Sequence, residues 1–113
     1  MPENSVASVT FGSHDDIATL MGKVGQALDV EFELRDSEYH GGDYYLSRSG
    51  RGVFVIRWNR ELDEPAEPDR PELSTLLYAS IPVGDVPSVT QAMALLQLET
   101  LARLASHGNP QGS

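Results

Sequence analysis

No cysteine occurs among the 113 residues, so disulfides and thiolate metal sites are excluded. Long apolar runs are missing too. A stretch such as Leu76-Leu77-Tyr78-Ala79 is far too short to cross a bilayer. The opening residues Met1-Pro2-Glu3-Asn4 lack the basic start and apolar core of a secretory signal. These absences together point to a cytoplasmic protein. Basic side chains are also scarce, with 8 lysines and arginines against 17 acids and a net charge of −9. Such a chain repels phosphate backbones and anionic lipid surfaces, so neither nucleic acid nor membrane is expected as a partner. A basic protein would be attracted to it.

Reactive motifs are absent as well. There is no G-x-S-x-G, no P-loop and no pair of histidines at H-x-x-x-H spacing. His14, His40 and His107 fall in separate segments. His40, flanked by Glu38 and Asp43, comes nearest to a metal site, but alternating polar residues are ordinary in a turn. Asp63-Glu64 is a carboxylate pair, yet a catalytic carboxylate needs a structured setting that shifts its pKa. No catalytic residue, metal or cofactor is therefore expected, and the chain does not read as an enzyme.

What remains is a pattern of strands and two helices. Val6, Val9 and Phe11 mark a short first strand over Ser5 to Phe11. Ile17, Leu20, Met21, Val24 and Leu28 form one apolar stripe at helical spacing, with Ser13 as N-cap and Asp16 three residues on. Val30 to Leu34 alternates as a strand, with Val30, Phe32 and Leu34 on one side and Glu31 and Glu33 on the other. Tyr44 to Arg48 and Val53 to Trp58, joined by Ser49-Gly50-Arg51-Gly52, read as a β-hairpin. From Asn59 to Thr75 acids dominate and Pro65, Pro68 and Pro71 recur every third residue, which suits an exposed, polyproline-like loop. Leu76 to Ile81 follows as a buried strand. The last element is a helix opened by a Ser88–Gln91 capping box and lined by Val89, Met93, Leu96, Leu101 and Leu104.

The order β-α-β-β-β-β-α predicts an α+β two-layer sandwich, with a mostly antiparallel sheet of four to five strands and both helices on one face. Residues 1–108 form one domain in this reading, and 109–113 a mobile tail. The most unusual cluster is Tyr39, His40, Asp43, Tyr44 and Tyr45 beside two glycines. Tyr44 and Tyr45 must point to opposite sheet faces, so one of them is free to serve as a contact while Tyr45 and Trp58 suit the core. A surface for a basic partner is then expected at Glu38, Tyr39, Asp43, Tyr44 and Trp58, with Glu61, Asp63, Glu64, Glu67 and Asp69 of the acidic loop.

The string Arg35-Asp36-Ser37-Glu38-Tyr39-His40-Gly41-Gly42-Asp43-Tyr44-Tyr45 precedes the acidic Asp63-Glu64-Pro65-Ala66-Glu67-Pro68 and the strand Leu76-Leu77-Tyr78. That order resembles small actinobacterial and proteobacterial proteins, and the size and charge resemble the immunity proteins of polymorphic-toxin and contact-dependent growth inhibition systems. The resemblance spans roughly residues 30 to 82. It implies a toxin domain as partner, many of which are nucleases with basic clefts, and an inhibitor that masks the cleft. Two other classes stay open. The leucine excess of the last helix would suit a homodimeric scaffold, and the Tyr39–Tyr45 region a small-ligand site or an enzyme.

Overall fold

Period-two burial sets the sheet. In the computed structural model, which describes residues 5–37, 42–49, 52–60, 66–67 and 70–106, Ala7, Val9 and Phe11 are buried while Val6 and Ser8 on the same strand are exposed. The strands are β1 (Val6–Ser13), β2 (Glu33–Ser37), β3 (Gly42–Ser49), β4 (Gly52–Trp58), β5 (Thr75–Pro82) and β6 (Glu99–Ser106). They form one six-stranded sheet in the order β2-β3-β4-β5-β1-β6, and every neighbouring pair is antiparallel. Helices α1 (Ile17–Leu28) and α2 (Val86–Leu95) cover one face. The α+β two-layer class expected from the sequence is the class found.

The core lies under the helices. Register aligns Phe11 with Leu77, Val9 with Ala79 and Ala7 with Ile81, and it aligns Ile56 with Leu77 and Phe54 with Ala79. All these side chains join Ile17, Leu20, Val24 and Leu28 of α1 and Val86, Val89 and Met93 of α2 in one buried cluster. Burying each of the larger ones contributes about 1.5–3 kcal/mol. At the β3–β4 turn only glycine fits position 52. Its φ is +135°, and an added Cβ would collide with the Ser80 carbonyl oxygen.

Four expectations need correction. Helix α2 stops at Leu95, and Leu101 and Leu104 belong to strand β6, so the order is β-α-β-β-β-β-α-β. The chain turns at Leu96-Gln97, where Gln97 takes φ +69°, and β6 then fills the free edge of β1. The leucine excess expected of the last helix is thereby reduced, because Leu101 and Leu104 lie on β6. The Ser88 capping box is not formed either: α2 follows a single 3-10 turn, Val83–Asp85, and the Ser88 hydroxyl donates to the Asp85 carbonyl. The true N-cap of α1 is Asp16, which accepts from the Thr19 amide at 2.7 Å, while the Ser13 hydroxyl accepts from the Asp15 amide. Finally, β2 begins at Glu33, so Val30 and Phe32 pack on the core from the α1–β2 connection and Leu34 is left 56% exposed.

Strand β1 is an inner strand, between β5 and β6. Its register with β6 slips between Thr10 and Phe11 and leaves Leu101 unmatched, a bulge that brings the Leu101 side chain over Gly12. The domain limits expected at 108 and 109 lie outside the described residues.

Candidate protein interface

An antiparallel sheet has two ends, and its register decides which residues share one. Ser13 pairs with Thr75, Trp58 with Thr75, Gly12 with Glu99 and Asp36 with Asp43. The β1–α1 connection, the β4–β5 connection and the start of β6 therefore meet at the end that also carries the close of β2 and the opening of β3. Asp15, Asp16, Asp36, Asp43, Glu67, Glu72 and Glu99 all belong to it. The β2–β3 register sets two exposed carboxylates, Asp36 and Asp43, directly opposite each other, an arrangement that opposes strand pairing.

Among the ten expected contact residues, four lie in described segments. Asp43 is exposed at the head of β3. Tyr44 is half-buried on the face without helices, opposite Arg35 and Arg57. Trp58 packs against the core cluster at the end of β4, as does Tyr45. Glu67 is half-buried in the β4–β5 connection. Glu38, Tyr39, Glu61, Asp63, Glu64 and Asp69 lie outside the described residues, as do His40 and His107.

Asn59 gives the β4–β5 connection its shape. This nearly buried carboxamide donates to the Arg70 and Leu73 carbonyls, both at 2.9 Å, and accepts from the Glu67 amide at 2.9 Å. The Asn59 amide bonds the Ser74 carbonyl, and the Ser74 amide bonds the Ser13 carbonyl. Leu73 is thereby pressed onto the sheet face opposite the helices, where Gly12 leaves the room that its side chain needs. Pro65 and Pro68 of the expected polyproline-like loop lie outside the described residues; the described stretch from Arg70 to Ser74 is held against the sheet through Leu73 and Asn59.

Ion pairs fix the rim of the same end. Arg70 reaches Glu99 through two hydrogen bonds, at 2.6 and 2.9 Å, and Glu72 at 2.6 Å. Hydrogen bonds from Arg70 hold the Glu99 and Glu72 carboxyls below the usual carboxylate range. The Thr19 amide does the same for Asp16. Arg57, only 4% exposed, donates to the carbonyls of Trp58 and Arg60 and lies over the Tyr78 ring at 5.7 Å. It ties the start of the connection to the open face.

Sequence reasoning missed Asn59, Asp36, Glu72 and Glu99 as parts of this surface. A strand boundary moved by three residues would have revealed Asp36 opposite Asp43. Nothing local could have revealed Asn59, whose partners lie 8 to 14 residues on without periodic signal. Among the described residues, no three histidines or carboxylates converge to hold a metal ion, and no helix is long and apolar enough to cross a membrane. Comparison with family models, curated proteins and solved structures gives no match to this chain.

Proposed function

We propose that this chain is an immunity-type inhibitor, a cytoplasmic protein-binding domain that neutralises a cognate bacterial toxin by masking a basic active-site cleft. The observation that carries the reading is the gathering of Asp36, Asp43, Glu67, Glu72 and Glu99 at one end of the sheet, with the connection beside them pinned by Asn59. A carboxylate array of this kind steers a cationic partner and speeds encounter. The described part of its framework is held by hydrogen bonds and ion pairs before docking, so little chain entropy is lost there. The contact would bury about 800 Å² on each partner. The reading assigns no catalytic residue and no cofactor to this chain.

The test pairs the purified chain with the product of each neighbouring gene. One of these should form a tight complex whose association rate falls steeply as salt rises from about 0.05 to 0.5 M. That product should lose its toxic activity in the complex. If no neighbouring product binds, or if binding is indifferent to salt, the reading fails.

A further inference from the structure

A sheet that is not closed has two border strands, here β2 and β6. β2 is one border, and among the described residues its outer edge pairs with nothing. Leu34 stands 56% exposed on this strand, on the same side as Asp36. On its other side the strand walls a concavity of about 310 Å³, formed by Glu31, Phe32, Glu33, Arg35, Leu46 and Arg48. The floor is Leu46, nearly buried and directly opposite Glu33 in the β2–β3 register. Within residues 31–36 the acids Glu31, Glu33 and Asp36 outnumber the single base Arg35, which is itself bound to Glu33 at 3.1 Å.

We infer that β2 is a strand-addition site: an extended, basic segment of the partner protein pairs along its outer edge. Backbone hydrogen bonds supply affinity in this mode, and alternate side chains supply specificity. Side chains on the open face drop an apolar residue into the concavity above Leu46, between the Glu31 and Glu33 carboxylates. Side chains on the helix side meet Leu34 and the carboxylates of Asp36 and Asp43. The occupant is settled by charge. A second copy would bring the same acidic excess to the seam, whereas a lysine- or arginine-bearing strand relieves it. The edge also runs directly into the acidic end, so one partner can engage both.

This inference rests on the proposed binding of a basic partner, and its test separates the two. The probes are a synthetic peptide of about nine residues alternating lysine and valine, a version of equal charge in which proline replaces valine, and a glutamate–valine counterpart. With isotope-labelled protein, the lysine–valine peptide should shift the amide signals of Glu33–Ser37 and slow their hydrogen exchange. The proline version should bind at least about tenfold more weakly, since it has lost amide donors. The glutamate peptide should not bind. Leu34→Lys, at a position that the core does not use, should lose about tenfold in affinity for the lysine–valine peptide while its spectrum stays folded. Equal binding of the proline version overturns the inference, because charge alone then accounts for the contact. Shifts confined to Asp43, Glu67, Arg70–Glu72 and Glu99 overturn it while the acidic-end reading survives. A dimer seen by light scattering, with its seam at β2, overturns it in favour of self-pairing. If the peptide pairs at β2 while no neighbouring gene product binds, the edge site stands and the toxin-inhibitor reading falls.

Discussion

The two faces of this sheet are closed in different ways. The helix face is sealed by two amphipathic helices whose stripes interlock with Phe11, Phe54, Ile56 and Leu77, all fully buried. Among the described residues, no helix covers the open face. One part of it is covered by a single pass of chain, in which Leu73 sits over Gly12, Leu76 is buried beneath and Asn59 holds the strap in place. The rest is left to half-exposed residues such as Val55 and Tyr78 and to exposed Val6 and Val53. Packing therefore secures the first face, whereas a small set of hydrogen bonds secures the second. The face held by few bonds adjoins the acidic end and the β2 edge, so structure there is cheaper to change without unfolding the domain.

Substitutions can break this contrast. Phe54→Ala on the helix face should remove about 3–5 kcal/mol of stability in denaturant unfolding, enough to unfold a marginal domain. Val53→Ala, one residue along and facing the other way, should remain within about 1 kcal/mol of the parent. Similar losses for both would erase the distinction between the faces.

Asn59→Ala should come next, at about 2–3 kcal/mol, because it leaves the Glu67 amide and the Arg70 and Leu73 carbonyls without their partner. Its signature is local. Hydrogen exchange should quicken over residues 66–74 while α1 and β4 keep their protection. Uniform acceleration across the sheet would show that the strap and the core melt as one unit.

Ser47 offers a smaller effect of opposite sign. It faces the helix side at 2% exposure, and among the described residues its hydroxyl has no hydrogen-bond partner. Ser47→Ala should stabilise the domain by up to about 1 kcal/mol, read as a rise in the denaturation midpoint. A fall would mean that the hydroxyl bonds an ordered water.

The smallest effect is expected in acid. Glu72, Glu99 and Asp16 have folded pKa values below their unfolded ones. Their contributions are complete above about pH 5 and are lost as pH falls through the depressed values. Arg70→Gln should flatten the part of that acid dependence due to Glu72 and Glu99, measured as the denaturation midpoint from pH 7 down to about pH 3. An unchanged profile would place the acid sensitivity elsewhere.

Much of the fold was legible wherever the local pattern agreed with the tertiary demand. The α1 stripe and the β4 alternation were readable because one face of each is buried and the other is wet. The C-terminal segment misled because Leu96, Leu98, Leu101 and Leu104 keep near-helical spacing through a turn that contains no glycine or proline. The free edge of β1 outweighed that propensity, a tertiary effect invisible in a local window. The acidic surface was legible in composition but not in place. Only register brings Glu99 and Asp36 to the end that also holds Glu67, and register is set by contacts far apart in the chain.

The position of β1 has a consequence for how the molecule is made. Val6 pairs on one side with Pro82 and on the other with Ser106, so β1 is made well before β5 and β6 and has neither sheet neighbour until they follow. Until then its Val9 and Phe11 side chains are a hydrophobic ribbon open to chaperones, and folding is a late, non-local closure instead of growth from the nascent end.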